Sequence, residues 1–192
     1  MTVNPETATF DLNTEGEGYA DVVLTVSANS GTVTIADVYK GETKLTKDTH
    51  YTETGGAVTL LKTYLDDLTA GDVTITIETS RGDVNAVITI VDTTTLTADP
   101  ATATFDKNTS GAGYVDVEIE VKHNTTGVTL TSVNNGETAL TPTTHYTADG
   151  LVITILKTYL ATLDEGAATI TFKTNKGDVD AVVTVVDTTE EG

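Results

Sequence analysis

Three histidines are the side chains best suited to proton transfer in this sequence, and two of them are equivalent. His50 and His145 are each followed by Tyr-Thr, whereas His123 has no counterpart. A hydrolytic triad needs a nucleophile, a base and an orienting acid within hydrogen-bond reach. Neither a Gly-x-Ser-x-Gly string nor a His-Glu-x-x-His string occurs. We therefore expect structural or surface histidines and no enzymatic activity.

Neighbouring acidic residues are the second group that could do chemistry. Paired carboxylates can hydrolyse glycosides, but Glu15 and Glu17 are replaced by uncharged residues in the second half of the chain. Oxygen ligands from Asp72, Asp92 or Asp99 could bind calcium. The sequence predicts solvated loop acids and no cofactor, and it leaves calcium open as an alternative.

Aromatic side chains could stack on sugar rings, because one face of an aromatic ring packs well on a pyranose. Six of the seven tyrosines form three equivalent pairs, and tryptophan is absent. Within those pairs, Tyr64 and Tyr159 are interpreted as structural corner tyrosines with a buried ring and a hydrogen-bonded hydroxyl. Tyr39 has no counterpart and precedes Lys40-Gly41, so it is interpreted as a free aromatic platform on a turn.

Arg81-Gly82-Asp83 is an adhesion-like string at the predicted tip of the last hairpin of its repeat. The second half has Lys-Gly-Asp at 176–178, and Gly-Asp is ordinary turn chemistry. The ordinary turn is the favoured interpretation. Together with Tyr39, the three residues are kept as weak binding candidates.

A lysine–asparagine isopeptide bond is a further covalent possibility. Lys62 and Asn13 recur as Lys157 and Asn108. A salt-bridged lysine and a turn asparagine are the simpler interpretation of both pairs.

Net charge and composition exclude several classes of partner. The formal charge is −19, with 29 acidic residues against 10 basic ones. Nucleic-acid and anionic-lipid binding need clustered Lys and Arg, so neither is expected. Cysteine is absent, which excludes thiolate catalysis, disulfides and zinc–thiolate sites. No apolar run reaches the roughly 18 residues of a membrane helix, so no membrane insertion is expected.

The elements that must position these residues are organised by an internal repeat. Residues 5–94 align with 100–189 without a gap, and more than half of the aligned pairs are identical. Repeats of this length match independent sandwich domains rather than solenoid units. The sequence therefore predicts one domain at 1–95 and a second at 96–192.

Period-two alternation of β-branched residues dominates each repeat. The clearest strand is Val115–Lys122, with valine and isoleucine predicted inward and charged residues outward; Ala20 to Val26 repeats it. Six to eight short strands per repeat, separated by turn signals, indicate a sandwich. Leucines three apart at 65 and 68, and at 160 and 163, predict a single helical turn. The fold class is all-β: two tandem immunoglobulin-like sandwiches, each with one short helical turn.

Several strings resemble a known family. They are Pro100–Asn108, Val133–Thr141, Tyr146-Thr147, Ile155–Leu163 and Thr169–Phe172. Together they resemble the immunoglobulin-like X modules of clostridial scaffoldins and secreted polysaccharidases, and the likeness covers both repeats. The chain departs from the family's usual Asp-Tyr-Thr, with His50-Tyr51-Thr52 and its repeat at His145.

The resemblance implies a non-catalytic spacer and solubiliser with weak attachment to polysaccharide or cell wall. It also implies an extracellular or cell-surface location as part of a larger protein. The alternative is a bacteriophage virion protein that decorates a capsid or fibre, with the capsid as its partner. The N-terminus shows no basic and hydrophobic secretory signal, and this feature favours the virion alternative.

Overall fold

The protein divides into two compact units, each built entirely from its own repeat. The computed structural model describes residues 1–189, so residues 190–192 of the predicted second domain lie outside the described residues. The division falls after Thr93, with unit one before it and unit two from Thr94 onward.

Unit one contains nine strands and one helical turn. In chain order they are β1 (Thr2–Asn4), β2 (Thr7–Asp11), β3 (Val22–Ser27), β4 (Ile35–Lys40), β5 (Thr43–Lys44), β6 (Tyr51–Thr54), β7 (Ala57–Leu60), α1 (Lys62–Leu65), β8 (Gly71–Thr79) and β9 (Val84–Val91).

Unit two repeats this order through its described residues. Its elements are β10 (Leu96–Asp99), β11 (Thr102–Asp106), β12 (Val117–His123), β13 (Leu130–Asn135), β14 (Thr138–Ala139), β15 (Tyr146–Asp149), β16 (Val152–Ile155), α2 (Lys157–Leu160), β17 (Gly166–Thr174) and β18 (Gly177–Val186).

Each unit is a sandwich of a four-stranded and a five-stranded sheet. The orders in unit one are β1-β3-β7-β6 and β2-β9-β8-β4-β5, and unit two has β10-β12-β16-β15 and β11-β18-β17-β13-β14. The predicted fold class is confirmed. The described residues hold nine strands per unit rather than six to eight, because two-residue and four-residue edge strands are too short to show alternation.

Alternation along the strands places one face of each sheet in the core. Val117, Ile119 and Val121 are buried, as predicted for the clearest strand. The inward placement was wrong at Val115, whose side chain is 53% exposed, and at Ala20, which is exposed. Both residues precede the first paired residue of their strand, where no sheet imposes an alternating face.

The predicted helical turn is present in each unit as a four-residue helix between two strands. Leu65 and Leu160, the last residue of each turn, are fully buried. Backbone N–H donation from Leu61 to the carbonyl of His50 (3.0 Å) ties the start of α1 to the loop before β6, and Leu156 bonds His145 in the same way. Neither helix in residues 1–189 has the length and apolarity to cross a membrane.

Candidate functional site

A histidine–tyrosine pair sits at the helical turn of each unit. In unit two the ring centroids of His145 and Tyr159 are 4.7 Å apart at 30°. In unit one the ring centroids of His50 and Tyr64 are 4.7 Å apart, and the angle between the ring planes is 31°. This offset, tilted arrangement is a favourable one for aromatic rings.

The loop before the histidine fixes the orientation of its ring. The backbone N–H of Thr141 donates to Nδ1 of His145 at 3.0 Å, and Thr46 donates to His50 at the same distance. An acceptor Nδ1 means that the neutral ring carries its proton on Nε2. The imidazole is therefore held as a donor through Nε2.

The loop reaches the histidine through a left-handed residue. Thr143 has φ 66° and Asp48 has φ 64° at the equivalent position. A β-branched threonine is rarely found in this region. Its backbone N–H donates to the carbonyl of Tyr146 at 2.7 Å, and this bond holds the conformation.

In unit two the pair lines an open groove of about 290 Å³, close to the lower size of small-molecule sites. The residues that line it combine one phenol, one imidazole and three hydroxyls: Thr144, His145, Thr158, Tyr159 and Thr162. An aromatic face with several hydroxyl donors and acceptors suits a sugar ring, which presents C–H groups on its faces and hydroxyls around its edge. We refer to these five residues as the His–Tyr groove.

The tyrosine hydroxyl differs between the two units. Asn135 donates through Nδ2 to the hydroxyl of Tyr159 at 3.0 Å. The equivalent of Asn135 in unit one is Lys40, and the buried hydroxyl of Tyr64 has no hydrogen-bond partner among the described residues. The expected bonded hydroxyl is therefore found at Tyr159 only, and both rings are half-buried. Burial raises the pKa of Tyr64 above its ordinary value.

Tyr39 lies within β4 rather than on the predicted turn. It alternates with the buried Val38 and pairs with Lys44 and Thr76, so it faces away from the core. Desolvation, the nearby charge of Glu78 and a hydrogen bond to it contribute to a raised pKa of the phenol. Tyr39 is half-buried on the surface of this sheet.

The Arg81-Gly82-Asp83 string forms the exposed turn between β8 and β9. The guanidinium of Arg81 donates through Nη1 to the carbonyl of Ser30 at 2.6 Å, and Thr79 donates to the carbonyl of Gly82 at 2.6 Å. Arg81 is thus docked on a neighbouring loop of its own unit, while Asp83 is exposed.

The remaining chemical candidates make local contacts. Nδ1 of His123 lies 2.6 Å from the carbonyl of Thr125. Within residues 1–189, no three His, Cys, Asp or Glu side chains come together to hold a metal ion. Asp72 accepts a hydrogen bond from Thr89 (2.7 Å), and Asp99 pairs with Lys122 (2.9 Å).

The suggested isopeptide partners are engaged in different contacts in unit one. Nζ of Lys62 lies 5.1 Å from the centroid of the Tyr19 ring, a cation–π distance. Asn13 is buried, and its Nδ2 donates to the hydroxyl of Thr93 at 3.3 Å.

The sequence predicts structural or surface roles for His50 and His145 and gives no direct indication of the groove. The available signal was that the His–Tyr spacing recurs unchanged in both repeats. That spacing became informative only once the loop and the helical turn were placed side by side.

Fold and site together define a duplicated, immunoglobulin-like β-sandwich module. Residues 3–90 and 98–185 each match the family model for "Carbohydrate binding domain X2". The chain belongs to the carbohydrate binding domain X2 family, in two tandem copies, and the resemblance found in its sequence is confirmed.

Curated relatives are much longer than this chain. It is 35% identical over 179 residues to cellulose-binding protein A of Clostridium cellulovorans, covering 92% of this chain and 9% of that protein. It is 29% identical over 133 residues to a xyloglucanase of a Paenibacillus species, covering 69% of this chain and 11% of the relative.

Two solved structures were also matched. One is a tri-modular endo-β-1,4-glucanase from Bacillus licheniformis complexed with cellotetraose, at 17% identity and a TM-score of 0.42, covering 97% of this chain and 38% of that one. The other is a tandem from titin, at 13% identity and a TM-score of 0.41, covering 94% of this chain and 64% of that one.

Proposed function

We propose that this chain is an accessory module that attaches a larger extracellular bacterial protein to polysaccharide or cell wall. Its family, and its similarity to a cellulose-binding protein and a xyloglucanase, support a polysaccharide partner. An extracellular location goes with that partner, because such polymers are too large to enter a cell. Neither the family nor the relatives support the virion alternative.

The His–Tyr groove is the observation that indicates where on the chain the polysaccharide binds. The histidine–tyrosine pair of the groove recurs in both units at the same ring distance of 4.7 Å, although Asp67 stands in place of Thr162 in unit one and the histidine departs from the family's usual aspartate. A tyrosine face with an oriented Nε2 donor provides both kinds of contact that a sugar needs. We assign the groove as the primary attachment point and keep Tyr39 as a second candidate.

The spacing and solubilising parts of the proposal rest on charge and fold. A net charge of −19 on 192 residues favours solubility and mutual repulsion. The spacing role rests on the two sandwich units, each of which packs around its own core. Neither role requires a ligand.

Binding is tested with the full chain on insoluble cellulose, purified bacterial cell walls and soluble xyloglucan. The first two use depletion assays and the third uses titration calorimetry. The double variant His50→Ala/His145→Ala is expected to bind the preferred polymer about tenfold more weakly, because it loses a ring contact and a donor. His123→Ala is the matched control, since it removes a histidine away from the groove.

The outcomes test two statements separately: that the chain binds polysaccharide, and that the His–Tyr groove is the binding site. If the unaltered chain binds none of the three polymers, polysaccharide attachment is wrong. If it binds and the double histidine variant binds equally well, the groove is wrong. In that case Tyr39→Ala and Asp83→Ala decide whether the β4 surface or the β8–β9 turn is the attachment point.

A further inference from the structure

Within residues 1–189, each unit contains one parallel strand pair. It joins the second strand of the unit to the last strand. β2 pairs parallel with β9, from Thr7 opposite Val87 to Asp11 opposite Val91. β11 and β18 pair in the same way over five positions. All other strand pairs in residues 1–189 are antiparallel.

The direction of this pair decides how tension acts on it. Pulling on the chain ends drags β2 backward along its own axis and β9 forward along its axis. The interstrand hydrogen bonds then lie across the direction of sliding and must break together. An antiparallel terminal pair would instead open one bond at a time from its free end.

Backbone bonds close this ladder at both ends. In unit one Val87 donates to the carbonyl of Glu6 at 2.9 Å, and Leu12 donates to the carbonyl of Val91 at 2.8 Å. Unit two repeats both bonds at the same distances: Val182 to Ala101, and Lys107 to Val186. The paired length is therefore the same in the two units.

Side-chain hydrogen bonds, which we call the latch, connect the segment just after the last strand to the end of the second strand. This segment is the first to bear tension applied from the C-terminal side. Thr93 donates its backbone N–H (3.0 Å) and its hydroxyl (2.5 Å) to the two carboxylate oxygens of Asp11. Thr188 and Asp106 repeat these bonds at 3.1 Å and 2.5 Å. Asp11 is the last residue of β2, and Asp106 is the last residue of β11. The latch therefore joins the end of one strand of the parallel pair to the residues that follow the other strand.

We infer that each unit is a mechanical clamp, and that the chain serves as a tether that keeps its fold under tension between its two ends. The three-residue β1 precedes the clamp and pairs only with β3, so the parallel pair carries the load after β1 detaches. This role goes beyond polysaccharide attachment, because it depends on strand direction and the latch and requires no ligand.

Single-molecule force spectroscopy of the full chain tests the inference through two pulling directions. Handles at the chain ends load the parallel pair in shear. The chain has no cysteine, so Glu6→Cys and Asp83→Cys provide unique handles just before β2 and just before β9. Both handles lie at the same end of the parallel pair and pull its two strands apart from that end. We expect unfolding forces at least about twofold higher for end-to-end pulling.

The latch is tested with matched pairs of threonine variants. Thr93→Val/Thr188→Val removes the hydroxyl-to-carboxylate bond of each latch. Thr89→Val/Thr171→Val also removes one threonine–aspartate bond per unit (2.7 and 2.6 Å), but these bonds join β9 to β8 and β17 to β18, and not the two strands of a parallel pair. We expect the latch variant to lower the end-to-end unfolding force, and the matched variant to lose equilibrium stability without that loss of force.

Equal forces in the two pulling directions would overturn the inference, and this comparison needs no destabilising variant. An equal loss of unfolding force in both threonine variants would show that the latch makes no specific contribution to mechanical resistance. Circular dichroism before pulling establishes that each variant is folded. Polysaccharide binding is measured separately, so its failure leaves these outcomes unchanged.

Discussion

Asp11 and Asp106 show how one carboxylate can close a loop and join two distant segments. Asp11 accepts bonds from the backbone N–H of Asn13 (2.9 Å) and from Thr93. Burial acts to raise the pKa of Asp11, but the bonds from Thr93 and Asn13 outweigh it, and the pKa is lowered. At Asp106 the Thr188 hydroxyl is the main cause of a lowered pKa.

These lowered values predict a pH-dependent contribution to stability. A carboxyl group whose pKa is lower in the folded state stabilises the fold above its unfolded pKa near 3.8, and this contribution is lost as pH falls through the folded value. We therefore expect the original chain to be more stable than Thr93→Val/Thr188→Val above about pH 5, with the difference shrinking below about pH 3. Urea unfolding across this pH range measures it, and a difference independent of pH would contradict it.

The left-handed residue before each histidine gives a second prediction at this scale. Unit one has Asp48 there and unit two has Thr143. Asparagine and aspartate tolerate this region better than threonine does. Thr143→Asn should raise the unfolding free energy of unit two by about 1 kcal/mol, and Asp48→Thr should lower that of unit one. Urea denaturation checks both, and the prediction is wrong if the two changes have the same sign.

The helical turn is the element that depends most on its surroundings. Four residues are far too few for an isolated helix to be stable. Asp116 on the loop before β12 accepts a hydrogen bond from the backbone N–H of Lys157 (2.7 Å), and Asp21 does the same for Lys62. With Leu160 buried at its other end, α2 is fixed by contacts distant in sequence.

Removing this distant cap should loosen the turn. Asp116→Ala leaves the first helical N–H without its acceptor, and we expect a loss of about 1 kcal/mol from unit two, as for other caps. Chemical denaturation measures the loss. Asp178→Ala is the control, because it removes only an exposed ion pair to Lys173 (3.9 Å), which contributes little. Similar losses in both variants would contradict the cap.

At the scale of the whole molecule, each unit has a separate core. Phe10, Leu24 and Ile75 belong to one buried cluster, and Phe105, Ile119 and Phe172 belong to the other. Each cluster draws on both sheets of its own sandwich. A domain with its own core is expected to fold by itself.

We predict that residues 1–93 and 94–192 each fold when produced separately. Each piece should show a strand-rich circular dichroism spectrum and a single cooperative unfolding transition, because it retains every strand of its two sheets. Thermal melts of the pieces and of the full chain measure this. An unfolded piece would show that the cores are not independent.

Four features can be predicted from the sequence alone: the two-fold repeat, the sandwich class, the helical turn and the inward face of strands such as β12. These features follow from local periodicity, because a residue's face depends on its immediate neighbours along the strand. Local periodicity misplaced Val115, which precedes the first paired position of its strand. The turn signal Lys40-Gly41 wrongly placed Tyr39 on a turn, whereas it lies within β4.

The contacts between segments that are distant in the sequence required the three-dimensional structure. Alternation along a strand shows which of its side chains face the core. It does not show which strand lies beside it or in which direction that strand runs, so the parallel pairing of β2 with β9 could not be predicted. The same limit hid the contact of His145 with Tyr159 and the latch from Asp11 to Thr93. Each of these contacts joins segments far apart in the chain, and the packing of the two sheets is what brings them together.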